Sequence, residues 1–534
     1  MTDRASCRGI RPSVSSVIQH SHLALIVLLL LAAALRFIDL ERVPPGLNVD
    51  EALHAYEAYS ILHTGRDEWG RVLPITFRAF NDYRRPATIY SAVPFVAVFG
   101  LTTFAIRAMA AFWGWLTVLL TYRLACDLFD RRVGLAAALV LTLSSWHVGF
   151  SRLGVEASGP LLPTVLAGLV CGWRWYRTRR RPFLYAAAVC FGLSLYTYTI
   201  AQALTPLLLC AIALLFLRPL REDARGAIGA GAIIAVVAAP LAVAIATNPV
   251  TWNRLDAISV FAVSDTNGWA LALMQWLGHF APAYLFLAGD ASPIHHLQGY
   301  GQLYWIELLL APLGLVNLFR RGQDRRAGLL VLAWLAVSAV PPALTRQDMG
   351  SANSMRGIAG VAAWAIVSGA GLALVTRRAR HLPRLSAAVA GIVLGALLWN
   401  AQVVLRDYFT VYPAQAARAF EYGIEQAMDY VVAHEDEVDT VVLTDWISQP
   451  HIFAVFYSAL DPAAFQRSHA PYGDRLSEKL TAWGDKYRMG DVEALYRELE
   501  HGLFVARPHM LEGIEPELVV LHPDGTPAFK VIRK

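Results

Sequence analysis

The chain has 534 residues, of which 56% are hydrophobic and only 16% are charged. These proportions exclude an ordinary soluble protein and are typical of a protein that crosses a membrane many times. The formal net charge of +5 at pH 7 therefore reflects the orientation of the loops, and we predict no nucleic-acid partner.

The N-terminal apolar segment, residues 23–35, follows three arginines and has the general pattern of a secretory signal peptide. No small-residue cleavage site lies between this segment and Arg36, and many further apolar segments follow. We therefore interpret the segment as an uncleaved membrane anchor.

Two patterns together predict the membrane topology. Apolar runs of about 20 residues mark spans, and short loops rich in Lys and Arg mark the cytoplasmic side. If every basic cluster is cytoplasmic, the spans come in outward and inward pairs, which predicts a mainly α-helical, polytopic protein with eleven spans. The predicted spans are residues 17–37, 104–126, 132–146, 157–176, 183–200, 203–217, 226–247, 302–319, 327–344, 357–375 and 385–405.

The apolar segment 87–100 is too short to be a span, and a crossing there would place every later basic cluster on the wrong side. We expect it to form a juxtamembrane helix at the outer interface. The first outer loop then covers residues 38–103, and residues 1–405 form one transmembrane domain.

Charged and polar residues return at the frequency of a soluble protein after Leu405. This change predicts a small α/β domain on the outer side, over residues 406–534. The helix expected at 414–432 places Phe420 and Ile424 on one apolar face. The other expected elements are helices at 450–460 and 491–500, strands at 439–444, 502–506 and 518–521, and a hairpin turn at Pro523-Asp524-Gly525.

Asp50 and Glu51 are adjacent carboxylates at the start of a predicted helix, shortly after the first anchor. Transfer of a group to a hydroxyl or amine needs a base within hydrogen-bond reach of the nucleophile, and a carboxylate is a common choice. The pair also fits a metal site, or helix capping by Asn48 or Asp50. The residues alone leave these three interpretations open.

Basic residues collect beside the predicted outer ends of the spans, and the acid Glu156 lies among them. Each arginine alone is more simply explained as an interfacial residue that reaches lipid headgroups. Because a guanidinium matches the oxygens of a phosphate, the set as a whole favours an anionic, lipid-linked substrate. The arginines are Arg84, Arg85, Arg107, Arg152 and Arg356.

Histidine and aromatic side chains supply further candidates for a substrate cavity. His54 lies four residues after Asp50 and shares its helix face, although a packed histidine is the simpler explanation. His147 suits stacking on a sugar or anchoring at the interface, and Tyr198 suits the aromatic belt or a cavity. No Cys, His and carboxylate set has the spacing of a zinc site, so we predict no metal.

A series of short motifs runs through the first half of the chain. They are Asp50-Glu51, Gly65-Arg66-Asp67, Leu73-Pro74, Asp82-Tyr83-Arg84-Arg85-Pro86, Phe99-Gly100, Phe104-Ala105-Ile106-Arg107, Leu116-Thr117-Val118, Ser144-Ser145-Trp146-His147 and Ser151-Arg152. Together they resemble the GT-C glycosyltransferases, in the group with the protein O-mannosyltransferases and the lipid A aminoarabinose transferase. The resemblance covers residues 17–250.

This resemblance implies a GT-C fold and an inverting transfer of a hexosyl or pentosyl group from a polyprenyl-phosphate donor. The acceptor, a protein, lipid or glycan, would lie outside the bacterial cytoplasmic membrane, and the active site and the C-terminal domain would face that side. No cofactor is required on this scheme. A divalent metal is compatible with it but is not predicted.

The resemblance also assigns roles to residues. It implies that Asp50 is the base, with Glu51 as its helper, and that Tyr83 lies in the substrate cavity. Arg84 or Arg85 would hold the donor phosphate, at a position where family members often have Lys before two prolines. Arg107, at the opening of the second span, would also contact the phosphate.

Three alternatives stay open at this point. A lipid or polysaccharide transporter or flippase usually has ionisable groups near the bilayer midplane, whereas the spans here have few charges at their centres. A surface-polysaccharide polymerase or ligase would keep the fold and change the reaction. A non-catalytic scaffold would leave the outer domain as the functional part.

Overall fold

The computed structural model describes residues 14–79, 82–247, 259–262, 267–346, 352–378, 383–469 and 482–534. The chain is mainly helical up to Thr410 and mixed α/β after it. The first helices are α1 Val14–Phe37, α2 Val49–Thr64, α3 Pro86–Phe99, α4 Thr103–Leu128, α5 Arg131–Leu143, α6 Ser145–Phe150, α7 Leu161–Thr178 and α8 Arg181–Ser194. The following helices are α9 Ala201–Leu215, α10 Leu217–Glu222, α11 Ala224–Ala246, α12 Gly268–Gly278, α13 Glu307–Leu318, α14 Arg325–Ser338, α15 Val340–Ala343, α16 Val361–Arg378 and α17 Pro383–Thr410.

Six helical segments among the described residues are long and apolar enough to cross a membrane. Five of them coincide with predicted spans: Thr103–Leu128, Ala224–Ala246, Arg325–Ala343, Ile358–Arg377 and Ala387–Thr410. Shorter apolar helices occupy other predicted spans, such as Ala201–Leu215 and Glu307–Leu318. A polytopic helical architecture is thus confirmed, whereas the count of eleven spans stays a prediction.

The sixth segment, Gly268–Leu287, lies in a region that the sequence assigned to an outer loop. Here α12 ends at Gly278, and a π-helical turn follows at Ala283–Leu287. His279 and Pro282 interrupt the apolar run, which is why the sequence pattern did not indicate a span. The structure therefore provides one more helical segment of spanning length than the predicted topology uses.

Close helix contacts form the centre of the bundle, where α16 packs against α5 and α13. Glycines permit this approach: a Cβ at Gly314 would lie 1.9 Å from the Val367 carbonyl oxygen, and a Cβ at Gly371 would lie 2.0 Å from that of Leu310. Small residues at helix interfaces are typical of packing inside membranes.

The first outer loop folds into α2, a two-stranded hairpin and α3. Strands β1 Phe77–Ala79 and β2 Asp82–Arg84 pair antiparallel. Pro86 begins α3, a helix of 14 residues that packs against α2 and α4. The expected helix at 87–100 is therefore present. Its location at the membrane interface stays a prediction.

The C-terminal region contains a six-stranded sheet with the order β4-β5-β3-β6-β8-β7. Strand β3 is parallel to β5 and β6, and the other pairs are antiparallel. The strands are β3 Val441–Thr444, β4 Ala482–Trp483, β5 Tyr487–Gly490, β6 Leu503–Ala506, β7 Leu518–Leu521 and β8 Pro527–Arg533. Helices of this region are α18 Tyr412–Ala416, α19 Ile424–His434, α20 Pro450–Tyr457, α21 Pro462–His469 and α22 Val492–Glu498.

Most elements predicted after residue 405 are confirmed, including the hairpin between β7 and β8. The continuous helix over 414–432 was wrong. Glu421 and Gly423 adopt left-handed backbone angles, with φ of 50° and 99°, and end one helical segment before α19 begins at Ile424. Phe420 and Ile424 are nevertheless both buried, as their shared apolar character predicted.

The C-terminal region docks on the first outer loop, and the two share one apolar core. Helix α20 packs along α2, and Tyr56 donates a hydrogen bond to the Leu460 carbonyl oxygen. Gln466 Nε2 donates to Ser60 Oγ, Thr64 Oγ1 and the Asp67 carbonyl oxygen. Helix α17 continues to Thr410, beyond the domain boundary predicted at 405.

Candidate active site

Asp50 lies in the first turn of α2, and the helix cap is its neighbour Asn48. The Asn48 side chain accepts a 2.9 Å hydrogen bond from the Asp50 backbone, and Glu51 accepts one from the Asn48 backbone at 3.0 Å. This is a capping box. The Asp50 carboxylate is not the cap, and 28% of its side chain is exposed. It is therefore accessible to a substrate.

Arg84 is the cation nearest to Asp50. It is the last residue of β2, and its guanidinium donates to Asp50 Oδ1 at 2.7 Å and to Asp82 Oδ2 at 3.3 Å. Burial acts to lower the pKa of Arg84, but Asp50, Glu156 and Asp82 together raise it, so the group stays charged. Within the described ranges, the buried Arg84 Nε has no hydrogen-bond partner.

Glu156 and Arg85 lie next to this pair. The buried Glu156 carboxylate accepts a 2.5 Å hydrogen bond from the Arg85 backbone N–H. Arg85 also donates to Gln202 Oε1 at 3.3 Å, which connects the site to α9. Burial raises the pKa of Glu156 to about 7, against the opposing effect of Arg84 and Arg85. Glu156 thus changes its charge near neutral pH.

Tyr198 and Arg356 bring two further segments to the same end of the bundle. The half-buried Tyr198 hydroxyl interacts electrostatically with Arg356, Glu156, Arg84 and Asp50. The half-buried Arg356 donates to Thr345 Oγ1 at 2.8 Å and to the Arg346 carbonyl oxygen at 2.9 Å. The structure therefore brings together predicted residues from four separate outer segments.

Glu51 and Arg107 form a fully buried ion pair instead of lining the site. Arg107 Nε donates to Glu51 Oε1 at 2.9 Å and Arg107 Nη2 to Oε2 at 3.0 Å. Arg107 also donates to the carbonyl oxygens of Leu40, Pro44 and Gly46. Both side chains have no exposed surface, so Glu51 has no access to a nucleophile and Arg107 has none to a phosphate.

Arg152 is likewise buried and unsuited to its predicted role. Its guanidinium donates to four backbone carbonyl oxygens at 2.8–3.3 Å, and it lies over the Phe409 ring. The accepting residues are Leu35, Arg36, Asp39 and Val43. Arg152 thus fixes the chain that leaves the first anchor, and it presents no donors to a substrate.

Tyr83 and His147 make their contacts with residues outside the Asp50–Arg84 pair. Tyr83 lies on the opposite face of β2 from Arg84, because side chains alternate along a strand, and it contacts Arg71 at 3.3 Å. His147 is buried, and its Nδ1 lies 2.7 Å from the Arg36 guanidinium. These contacts leave the assignment of Tyr83 and His147 to the substrate cavity as a prediction.

His54 lies one helical turn after Asp50 on α2 and interacts with it electrostatically. Its Nδ1 lies 2.8 Å from the Gly154 carbonyl oxygen, and the ring is buried. Burial lowers the pKa of His54 although the Asp50 charge opposes this, so the ring is neutral at pH 7. A neutral ring that donates from Nδ1 leaves Nε2 as an acceptor, and no described residue bonds to it.

Sequence reasoning missed two supporting residues. Asp82 balances the charge of Arg84, and the signal was its spacing of two residues in a strand, which places both on one face. Arg36 contacts His147, and no sequence pattern indicated that contact. In the part of the chain that the structure describes, no group of three or more His, Cys, Asp or Glu side chains can hold a metal ion.

Comparisons with known proteins support this architecture. The family described as dolichyl-phosphate-mannose-protein mannosyltransferase matches residues 85–243. No curated protein sequence matches the chain. The crystal structure of ArnT from Cupriavidus metallidurans bound to undecaprenyl phosphate is similar, with a TM-score of 0.56 and 13% identity over 98% of both chains.

A second similar structure is the archaeal oligosaccharyltransferase AglB from Archaeoglobus fulgidus, in complex with an inhibitory peptide and a dolichol-phosphate. Its TM-score is 0.53 at 13% identity, over 84% of this chain and 64% of that one. At such low identity the likeness concerns the fold. The chain has the GT-C fold that its motifs predicted.

Proposed function

We propose that the chain is a membrane glycosyltransferase that moves a sugar from a polyprenyl-phosphate donor to an acceptor. Transfer takes place on the outer side of the bacterial cytoplasmic membrane and inverts the anomeric carbon. The observation that carries this proposal is the Asp50–Arg84 pair, an accessible carboxylate joined to a cation at one end of the bundle. The undecaprenyl phosphate bound to the similar ArnT structure supports a polyprenyl-phosphate donor.

Asp50 acts as the general base. It accepts the proton from the acceptor hydroxyl or amine while that group attacks the anomeric carbon of the sugar. The new bond to the acceptor forms as the bond between the sugar and the phosphate oxygen breaks. The products are the glycosylated acceptor and polyprenyl phosphate, and attack from the face opposite the phosphate inverts the anomeric carbon.

Arginines stabilise the leaving phosphate. Negative charge grows on its bridging oxygen in the transition state, and preorganised cations near that oxygen lower the barrier. Arg84 has the required location, because its guanidinium lies beside the accessible carboxylate of Asp50. Arg85 and Arg356 reach the same region, whereas Arg107 and Arg152 act by fixing the backbone around it. No resident metal is needed for this step.

Glu156 and Tyr198 complete the cavity around the transferred sugar. Glu156 interacts electrostatically with Arg84 and Arg85, and it accepts a hydrogen bond from the Arg85 backbone. Its ionisation therefore controls how strongly these two cations attract an anion. Tyr198 offers a hydroxyl that can bond to a sugar or a phosphate oxygen. His54 has a positioning role one helical turn after Asp50.

A donor panel tests the proposal. Membranes that contain the chain are incubated with several polyprenyl-phosphate sugars, and products are identified by mass spectrometry. We expect one donor to be consumed, with release of free polyprenyl phosphate. If no donor reacts while the chain moves intact polyprenyl-phosphate sugar across the bilayer, the protein is a flippase and the proposal is wrong.

A further inference from the structure

An apolar cavity lies at the end of the bundle opposite Asp50. Its volume is ≈ 260 Å³, and it is lined by residues of α7, α8, α9 and α11, together with Leu220 of α10 and Leu330 of α14. Its lining carries no ionisable group and includes Trp173, Phe191, Ile212, Leu220 and Ile234. Protein interiors contain few voids larger than a water molecule, so a space of this size and polarity suits a hydrocarbon chain.

The cavity is far from the candidate active site along the helices. Helix α7 begins at Leu161, shortly after Glu156, and the cavity contacts only its later part, from Gly168 to Trp175. Helix α9 begins at Ala201, beside Gln202, and contacts the cavity from Leu209 onwards. The cavity is therefore distinct from the place where the donor phosphate must lie.

A basic recess adjoins the cavity across the short helix α10. Leu220 of α10 lines the cavity, while Arg218 and Arg221 of the same helix line the recess with Arg326 and Glu222. One helix thus separates an apolar space from a cationic one, within the reach of a single lipid molecule.

The recess has an excess of positive charge. Arg218 pairs with Glu222 at 3.0 Å, whereas Arg221 forms no ion pair with any residue that the structure describes. The Arg326 guanidinium donates to Tyr176 Oη at 3.0 Å and to the Leu215 carbonyl oxygen at 3.3 Å, both uncharged acceptors. Three guanidinium groups and one carboxylate therefore line the recess, and that carboxylate also pairs with Arg179 at 3.3 Å. This excess of positive charge favours an anion.

We propose that this end of the bundle binds one anionic phospholipid. Its phosphate lies in the recess at Arg218 and Arg221, and one of its hydrocarbon chains fills the cavity. The predicted topology places these arginines on the cytoplasmic side, where anionic lipids attract basic residues at the surface of the bilayer. A bound chain would connect α11, which packs mainly on α8, to α7 and α9.

Native mass spectrometry of the purified full chain tests this site. The chain in detergent is titrated separately with phosphatidylglycerol, with phosphatidylcholine of the same acyl composition and with undecaprenyl phosphate. We expect selective retention of phosphatidylglycerol, and about 25-fold weaker binding in Arg218→Gln/Arg221→Gln, since each arginine contributes about fivefold. The variant Arg218→Lys/Arg221→Lys keeps the charge and should retain most of the affinity.

The control is Arg406→Gln/Arg497→Gln, which removes two exposed, acid-paired arginines from other parts of the chain. It should bind phosphatidylglycerol like the wild type. Ala187→Phe fills the cavity without changing the arginines, and it should also reduce the retention of phosphatidylglycerol. This variant tests the proposal if the double Gln variant is not monodisperse.

Three results would overturn the proposal. The first is equal retention of both phospholipids. The second is unchanged binding in both the double Gln variant and Ala187→Phe. The third is a preference of this site for undecaprenyl phosphate, lost on Arg218→Gln/Arg221→Gln, because the cavity would then hold the donor instead of a phospholipid.

Discussion

The Arg84 guanidinium donates a 2.7 Å hydrogen bond to Oδ1 of Asp50, across 34 residues of chain. The contact joins the start of α2 to the end of β2, so an ion pair connects the proposed base with the proposed phosphate ligand. A phosphate bound as proposed would compete with Asp50 for Arg84. On the proposed mechanism, donor binding therefore weakens this ion pair and prepares Asp50 to accept a proton.

Replacement of Arg84 separates its charge from its geometry. Arg84→Gln should lower kcat/KM for the donor by about 100-fold or more, because a cation is lost where phosphate charge develops. Arg84→Lys should have an intermediate kcat/KM, since lysine keeps the positive charge but lacks the planar set of guanidinium donors. Steady-state transfer kinetics in vesicles measure both. Arg66→Gln, an exposed change in the same loop, is the control, and equal rates for Arg84→Gln and Arg66→Gln would exclude Arg84 from the site.

Loss of Arg107 should affect folding. Arg107→Gln leaves Glu51 as a buried charge without its cation, and breaking a buried pair costs about 3–5 kcal/mol. We expect a lower thermal unfolding midpoint and less monodisperse protein. Arg497→Gln breaks an exposed pair with Glu493 and should change stability by less than about 1 kcal/mol. A stable Arg107→Gln protein with only weaker donor binding would return Arg107 to the phosphate site.

Glu156 should make donor binding depend on pH. Its pKa of about 7 means that the carboxyl is neutral in mild acid and ionised above neutrality. The ionised form competes with the donor phosphate for Arg84 and Arg85, so the KM for the donor should rise as the pH increases from about 6 to about 8. Glu156→Gln should remove this dependence, whereas an unchanged pH profile in Glu156→Gln would assign the titration to another group.

The same raised pKa affects stability. The unfolded chain loses this proton near the ordinary value of 4.5, below the folded pKa. The contribution of Glu156 to the free energy of unfolding is therefore complete below that value and is lost as the pH rises through about 7. Glu156→Gln should be less sensitive to pH than the wild type in this window, as measured by thermal unfolding.

Gln466 should stabilise α2 from the C-terminal domain. Gln466→Leu leaves Ser60, Thr64 and the Asp67 carbonyl without their common donor, at a cost of about 1–3 kcal/mol. We expect faster hydrogen exchange in α2 and slower transfer. Arg467→Leu changes an exposed neighbour on the same helix and serves as the control. Equal exchange rates in the two variants would show that the contact does not support α2.

The sequence was sufficient for the helical architecture, and both members of the Asp50–Arg84 ion pair were among its candidate residues. The lengths of the apolar runs predicted the helices, because a helix must be long enough to cross the hydrocarbon core of the bilayer. The short length of segment 87–100 and the pattern of basic loops identified α3 as a short helix. Asp50 and Arg84 were found because an acid and a basic residue flank the same outer loop. The capping alternative was half right: Asn48 is the cap, which leaves Asp50 accessible.

Burial of the other arginines could not be predicted from the sequence. Arg84, Arg107 and Arg152 are residues of the same type, and each lies close to a predicted membrane boundary. Their difference arises from backbone carbonyl groups of residues 35–46, which turn towards Arg107 and Arg152 and satisfy them. The local sequence pattern does not specify in which direction these carbonyl groups point. The face of Tyr83 likewise depends on the β1–β2 register, which no propensity specifies in strands this short.

The most direct test of the central claim is the transfer rate of Asp50→Asn in proteoliposomes, with the donor that the panel identifies. Asn has nearly the same shape and still accepts a hydrogen bond from Arg84, but it cannot take a proton from the acceptor. We predict that transfer falls by a factor of about 100 to about 10,000 while donor binding and expression are retained. Transfer at the wild-type rate would contradict the assignment of Asp50 as the base.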